Sequence, residues 1–175
     1  MPSRNRITLQ RLAATLTLAV ALGGCAPAAS PASSSSAATS LTVFFNGEAN
    51  VTVSGPVSGE FTAPLARGSV LPGGGFITAE YAEIQEGSLT YQGPARVGEY
   101  PTARTETELT SLMITLAIPD NDPPYDTYIS LEGECTIDVT AAGPEGGEAS
   151  FSCSEVPNLD GTVKVDAEGT FDAAP

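Results

Sequence analysis

From residue 41 onward, apolar and polar residues alternate along the chain. This period of two residues is typical of a β-strand and not of a helix. In the segment ANVTVSGPVSGEFTA, residues 49–63, this alternation runs on both sides of the tripeptide Ser54-Gly55-Pro56. We predict a β-hairpin with this tripeptide as its turn and with Val53 opposite Val57. The other pairs in this register are Val51 with Gly59 and Ala49 with Phe61.

The end of the chain alternates even more regularly. The side chains predicted on one face are apolar or small: Val163, Val165, Ala167, Gly169 and Phe171. The side chains predicted on the other face are polar: Thr162, Lys164, Asp166, Glu168, Thr170 and Asp172. An antiparallel sheet can pack one face on a core while its other face meets water. We therefore predict a strand here with Phe171 inside.

Two cysteines lie in a second candidate hairpin, CTIDVTAAGPEGGEASFSC, residues 135–153. A register that pairs Cys135 with Cys153 also pairs Ile137 with Phe151, and a slip of one residue would send these two apolar side chains to different faces. The pattern predicts a cross-strand disulfide between Cys135 and Cys153. Two free buried thiols, or half of a metal site, are the alternatives, although the chain has no histidine to complete a zinc site.

Further strand-like segments lie between these hairpins, and together they predict the fold class. SLMITLAI, residues 111–118, is almost continuously apolar and is predicted to be a central strand. Residues 79–86 allow a helical turn. In total, about eight or nine short strands separated by Gly, Pro and Asp/Asn turns predict an all-β domain, either an antiparallel β-sandwich or a flattened barrel.

The first 25 residues have a different character. Arg4, Arg6 and Arg11 form a basic start before an apolar stretch, residues 12–24, of the length of a signal-peptide h-region. That stretch is shorter than the about 20 apolar residues that a spanning helix needs. This segment allows an ordinary signal-peptide cleavage site within residues 26–29 or an uncleaved anchor, and the residues around Cys25 suggest a third interpretation.

The tetrapeptide Leu22-Gly23-Gly24-Cys25 resembles the lipobox of bacterial lipoproteins. The resemblance implies cleavage before Cys25, a diacylglycerol on the Cys25 thiol, and an extracytoplasmic protein held by its lipid on the cell membrane or the outer membrane. Residues 25–40 are then a Ser/Ala/Pro-rich tether, whose composition predicts a disordered spacer. The predicted organisation is a signal peptide at 1–24, the tether at 25–40 and one β domain at 41–175.

Charge narrows the choice of partners. The whole chain has a net charge of −14. Removal of residues 1–24 takes away three arginines and no acid, which leaves a mature charge of about −17 on a simple count. Nucleic acid is therefore not an expected partner, because its binding depends on cations that meet phosphates. The expected partners are the membrane, through the lipid, and a protein or a small apolar ligand.

One loop, PDNDPPYD, carries a cluster of acids: Asp120, Asp122 and Asp126. Calcium prefers about six to eight oxygen ligands from carboxylates, carbonyls and waters, so this loop is a candidate calcium site. Pro123 and Pro124 do not fit an EF-hand loop, and the alternative is a rigid acidic turn between two strands. Apart from this calcium, the sequence predicts no cofactor.

Three functions are compatible with the sequence. The first is a non-enzymatic envelope lipoprotein whose β domain presents an interaction surface, with an exposed apolar or aromatic patch. The second is a carrier or sensor of a small apolar ligand, held in a cavity lined by Phe44, Phe76, Tyr81 and Tyr91. The third is a hydrolase with two converging carboxylates, one with a raised pKa. Because the chain lacks histidine, Ser-His and Cys-His nucleophile systems are excluded, and we do not expect an enzyme.

Overall fold

The computed structural model describes residues 41–70, 76–105, 109–118 and 124–175, with only the backbone at Phe76. The predicted signal peptide, the tether and the lipidation residue Cys25 lie outside these ranges. The contacts group Ala37–Pro175 into one compact unit. Among the described residues, none forms a helix of the length and hydropathy needed to cross a membrane.

The described residues form eleven β-strands. In chain order they are β1 (Thr42–Phe44), β2 (Glu48–Ser54), β3 (Gly59–Val70), β4 (Phe76–Glu83), β5 (Gly87–Pro94), β6 (Gly98–Arg104), β7 (Leu109–Ala117), β8 (Tyr125–Ser130), β9 (Glu132–Gly143), β10 (Gly146–Pro157) and β11 (Lys164–Ala173).

Nine of these strands close into an antiparallel ring. The order around the ring is β3, β2, β11, β10, β9, β6, β7, β5, β4 and then β3 again. The ring closes because β3 pairs with β2 through its first half and with β4 through its second half. The two remaining strands extend the sheet, β1 on β3 and β8 on β7. The predicted all-β, antiparallel architecture is confirmed.

The described residues contain eleven strands, somewhat more than the about eight or nine that the sequence predicted. The strand β1 is only three residues long, which is too short for an alternating pattern to identify. The strand β6 contains Pro101, which has no N–H for the ladder and so argues against a strand in the sequence. In the structure β6 accommodates this proline at an irregularity, because its register with β9 shifts between Pro101 and Ala103.

The β2–β3 hairpin forms, but its predicted register is wrong by two residues. Val53 lies opposite Gly59 and not Val57, and Val51 lies opposite Phe61. The connection is therefore four residues long, residues 55–58, and not the tripeptide that the sequence suggested. Because the side-chain period of a strand is two, this shift leaves Val51, Val53 and Phe61 on the buried face.

The β9–β10 register matches the prediction. Cys135 lies opposite Cys153 and Ile137 opposite Phe151. The two cysteines form a disulfide with their Cα atoms 4.0 Å apart. Residues 144 and 145 make the turn that joins these long strands. The predicted disulfide is therefore confirmed.

The sequence also made predictions about β7 and about residues 79–86. The apolar strand β7 is central as predicted, since it pairs with β5 on one edge and with β8 and β6 on the other. The predicted helical turn at residues 79–86 is wrong. Residues 76–83 are the strand β4, which buries Ala79 and Tyr81 at alternate positions, and only residues 84–86 form a turn.

Aromatic side chains fill the interior of the ring. The ring of Phe171 lies with its centroid 5.9 Å from that of Tyr81 and 5.1 Å from that of Tyr91. The buried Tyr81 hydroxyl donates a hydrogen bond of 2.8 Å to the carbonyl of Asp172. The strand β11, whose apolar face the sequence predicted, thus packs against β4 and β5 across the core.

Candidate functional site

A row of exposed apolar side chains lies along the first strand. Leu41 is 54%, Val43 40% and Phe45 75% exposed. We call these three residues the β1 edge. Between them Phe44 is only 1% exposed and belongs to the core. Within the described part of the chain β1 pairs with β3 alone, so its other side has no strand partner.

The β1 edge is held firmly by its neighbours. On one side Phe44 pairs with Gly68. A Cβ at position 68 would lie only 3.1 Å from the Cβ of Phe44, so the glycine allows the two strands to approach closely here. At the C-terminal end, the N–H groups of Phe45 and Asn46 donate to the carbonyl of Ala174 at 2.9 and 3.1 Å. The exposed ring of Phe45 therefore projects from a fixed backbone.

The segment of β3 that pairs with β1 carries no charged side chain. Residues 41–45 and their partners, residues 68–70, are all uncharged in a chain with 21 acidic residues. The nearest charge along β3 is Arg67, whose guanidinium forms an ion pair of 2.7 Å with Glu80. The β1 edge is thus an uncharged strip on an otherwise acidic protein.

A second group of exposed apolar residues consists of Ile84, Tyr125 and Leu159, which we call the tip. Their exposed fractions are 85%, 47% and 72%. The Tyr125 hydroxyl donates to the carbonyl of Ile84 at 3.2 Å, and the N–H of Leu159 donates to the carbonyl of Thr127 on the same strand at 3.1 Å. These two hydrogen bonds therefore connect the first residues of β8 to the turn at Ile84 and to the loop at Leu159.

The β1 edge and the tip lie at opposite ends of the domain. The start of β4 pairs with Val70 beside β1, and its end leads into the turn that carries Ile84. The eight residues of β4 span about 26 Å. Likewise, β11 begins after the loop that holds Leu159 and ends beside Asn46, and its ten residues span about 33 Å.

Among the described residues, the two tyrosines predicted to line a ligand cavity, Tyr81 and Tyr91, border only a small void. The space between Tyr81, Tyr91 and Phe171 has a volume of about 10 Å³. Pockets for small molecules are about 300–1,000 Å³, so this void is far too small. Tyr81, Tyr91 and Phe44 are buried in the packed core, and the Phe76 side chain lies outside the described residues. A groove of about 430 Å³ beside the β9–β10 turn and Ala174 is open to solvent.

A carboxylate network holds the β8–β9 connection. One Glu134 oxygen accepts hydrogen bonds from the Ser130 hydroxyl at 2.8 Å and from the N–H groups of Leu131 and Glu132 at 3.0 and 2.9 Å. Burial raises the pKa of Glu134, but these hydrogen bonds outweigh it, and the net pKa is lowered. A general acid needs a pKa shifted upward toward neutrality, so this network is suited to holding a turn.

The candidate calcium loop is described only at its last acid, since Asp120 and Asp122 lie outside the described residues. At Asp126, one oxygen accepts from the Tyr128 hydroxyl at 2.9 Å and from the Asn158 amide at 3.4 Å. The described residues contain no cluster of three side chains suited to a metal ion. Calcium binding at this loop stays a prediction.

The sequence did not identify the β1 edge or the tip. The doublet Phe44-Phe45 contained a signal, because adjacent residues of a strand face opposite ways and one of the two rings must point outward. Leu159 stands in a turn, PNLDG, where an apolar residue has no core to pack on. No protein-family model, curated protein or solved structure matches the chain.

Proposed function

We propose that the protein is a non-enzymatic cell-envelope lipoprotein, anchored through a diacylglycerol on Cys25, whose β domain presents the tip as an interaction surface. One observation carries this proposal. The tether joins the domain at Leu41, and the exposed tip lies at the other end of the strands. Anchoring at Cys25 would therefore attach the domain by the end opposite to Ile84, Tyr125 and Leu159.

Other features support the same function. The Cys135–Cys153 disulfide suits an oxidising compartment outside the cytoplasm. Grouped apolar side chains on a surface commonly mark sites of protein contact. The tip groups a branched aliphatic residue, a leucine and a tyrosine, and aromatic residues are enriched in protein interfaces.

The two other functions have less support. A carrier of an apolar ligand needs a cavity many times larger than the 10 Å³ beside Phe171. A carboxylate-based hydrolase needs an acid with a raised pKa, whereas the pKa of Glu134 is lowered. Neither function is favoured by a specific feature of the described residues.

The anchoring part of the proposal is tested by fractionating host cells and measuring the intact mass of the protein. We expect a mass that starts at Cys25 plus a diacylglyceryl group, found with the membranes. The Cys25→Ser variant should lack the lipid and should leave the membrane fraction. An unmodified wild-type N-terminus, or equal partition of the two proteins, would contradict the anchoring.

The interaction surface is tested separately by site-specific photo-crosslinking in the host. A crosslinker at position 84 should give a discrete product, which Leu159→Ser should weaken because both residues belong to the tip. A crosslinker at Val97 is the matched control, since Val97 is 66% exposed but lies in the β5–β6 connection. Identical products from both positions would remove the tip from the proposal.

A further inference from the structure

The open side of β1 suggests how the domain is oriented on a membrane. We propose that the β1 edge docks on the lipid bilayer that holds Cys25, so that Leu41, Val43 and Phe45 enter its interfacial region. This inference rests on the proposed lipid anchor. It goes further, because a tether alone would leave the domain free to rotate above the surface.

The point where the predicted tether meets the domain brings the β1 edge close to the membrane. Residues 26–40 separate Cys25 from Leu41, and a linker with the flexibility that this Ser/Ala/Pro-rich composition predicts would have a root-mean-square span of about 20 Å. The linker joins the domain at Leu41, which is itself part of the β1 edge. Of all the exposed apolar side chains in the described residues, those of the β1 edge are therefore held nearest to the bilayer. Tethering also raises their local concentration at the surface.

The composition of the β1 edge also suits a lipid surface. Interfacial binding scales with the apolar area that enters the membrane, and it is opposed by negative charge near anionic lipids. The β1 edge supplies three apolar side chains, and residues 41–45 and 68–70 add no acid. Its backbone is already fixed by β3 and by Ala174, so little conformational entropy is lost when it docks.

A partner strand fits this edge less well than a bilayer does. The strand β1 is three residues long, and beyond it Asn46 is already bridged to Ala174. A stable protein interface buries at least about 1,200 Å² in total, whereas docking of three apolar side chains at a bilayer surface needs no interface of that size. Pairing of two copies through β1 is the competing arrangement, and the experiment below distinguishes it from docking on the bilayer.

The experiment uses tryptophan as a reporter, because the chain contains none. Phe45→Trp places a single tryptophan on the β1 edge, and Leu159→Trp is the matched control at the tip, since the native side chains are 75% and 72% exposed. The mature chain from Cys25 contains the whole compact unit Ala37–Pro175. With Cys135 and Cys153 bridged, Cys25 is the one free thiol, and it can be coupled to a maleimide lipid in phosphatidylcholine vesicles.

Brominated acyl chains quench tryptophan only where it enters the membrane. We expect the Phe45→Trp protein to lose at least about half of its emission in brominated vesicles, as a side chain that enters the interfacial region should. The emission of the Leu159→Trp protein should stay nearly unchanged. Adding Leu41→Ser and Val43→Ser to the Phe45→Trp protein should reduce its quenching to the level of the tip control. Thermal melting checks that each variant is folded, and Leu41→Trp replaces Phe45→Trp if the latter is not.

Two results would overturn the docking. One is equal quenching of the Phe45→Trp and Leu159→Trp proteins. The other is a blue shift of the Phe45→Trp emission that grows with protein density on unbrominated vesicles, which would indicate pairing between copies. The chemical coupling does not depend on lipidation by the host, so the docking and the anchoring are tested independently. The docking test can fail even if Cys25 is lipidated in cells, and it can succeed even if Cys25 is not lipidated.

Discussion

Phe151 and Gly169 are direct cross-strand partners on β10 and β11, and the phenyl ring covers the place where a side chain at position 169 would stand. A Cβ on Gly169 would lie 2.8 Å from the Phe151 ring and would collide with the carbonyl oxygen of Asn50. The absence of a side chain at Gly169 thus lets β2, β11 and β10 pack closely around this ring.

Gly169→Ala is therefore expected to destabilise the domain by about 2–3 kcal/mol, the upper part of the range for overpacking a core. Chemical denaturation monitored by circular dichroism measures this. The control is Gly143→Ala, because nothing lies within 4 Å of a Cβ at Gly143. Similar denaturation midpoints for the two variants would show that β11 can shift to accept a methyl group.

The disulfide gives a second prediction. Cys135 and Cys153 are 18 residues apart, and a bridge that closes such a loop stabilises by about 3 kcal/mol in the chain-entropy model. We expect the double variant Cys135→Ala/Cys153→Ala, or the wild type in reductant, to lose about this free energy of unfolding while keeping the β spectrum. Cys25→Ser is the control and should leave the denaturation midpoint unchanged.

Glu134 predicts how stability depends on pH. Its pKa in the folded protein is lowered from the ordinary value of 4.5, so the stabilisation by its carboxylate is fully present above that value and is lost as pH falls through the folded-state pKa. At pH 7 we expect Glu134→Gln to lower the free energy of unfolding by about 1 kcal/mol. The difference from the wild type should shrink below pH 4.5 and disappear at lower pH.

The control for this prediction is Glu132→Gln. Glu132 is an exposed neighbour on β9, and it joins the network through its backbone N–H and not through its carboxylate. It should change stability little at any pH. A stability difference for Glu134→Gln that stays constant into the acid range would mean that shape, and not charge, accounts for its effect.

Glu155 gives a prediction in the opposite direction. It has a left-handed backbone with a φ of 54°, in the irregular step between Cys153 and Val156 on β10. A non-glycine residue is strained in this region, whereas glycine is not. Glu155→Gly should raise stability by about 0.5–1 kcal/mol, and it keeps the N–H that donates to Asp166.

The matched control is Glu168→Gly on the regular part of β11, which should instead lose about 0.5–1 kcal/mol from added backbone freedom. Thermal melting of the two variants compares them directly. If both substitutions lower the melting temperature, relief of strain at Glu155 does not compensate for the entropy of glycine.

The parts of the fold that the sequence predicted are those where side-chain period and long-range pairing agree. In the β9–β10 hairpin, Cys135, Ile137, Phe151 and Cys153 all require the same register, so a slip would break several contacts together. In the β2–β3 hairpin, registers that differ by two residues both keep the apolar side chains inside, and the turn residues did not separate them.

The surfaces were less predictable because they depend on which strands meet. Ile84 lies between Glu83 and Gln85 in the sequence, and nothing local indicates that Tyr125 would reach its carbonyl. The exposure of Phe45 depends on the bridge between Asn46 and Ala174, residues almost a whole domain apart in the chain. Alternation fixes which face a side chain occupies, but not whether another strand covers it.

The position of β11 has a consequence for the timing of folding. The last strand of the chain lies between β2 and β10, so the ring cannot close until its final ten residues, Lys164–Ala173, are available. Pairings between residues so distant in sequence form slowly. A chain that has not yet added β11 can form local hairpins such as β9–β10, but its β2 and β10 stay unjoined and its ring stays open.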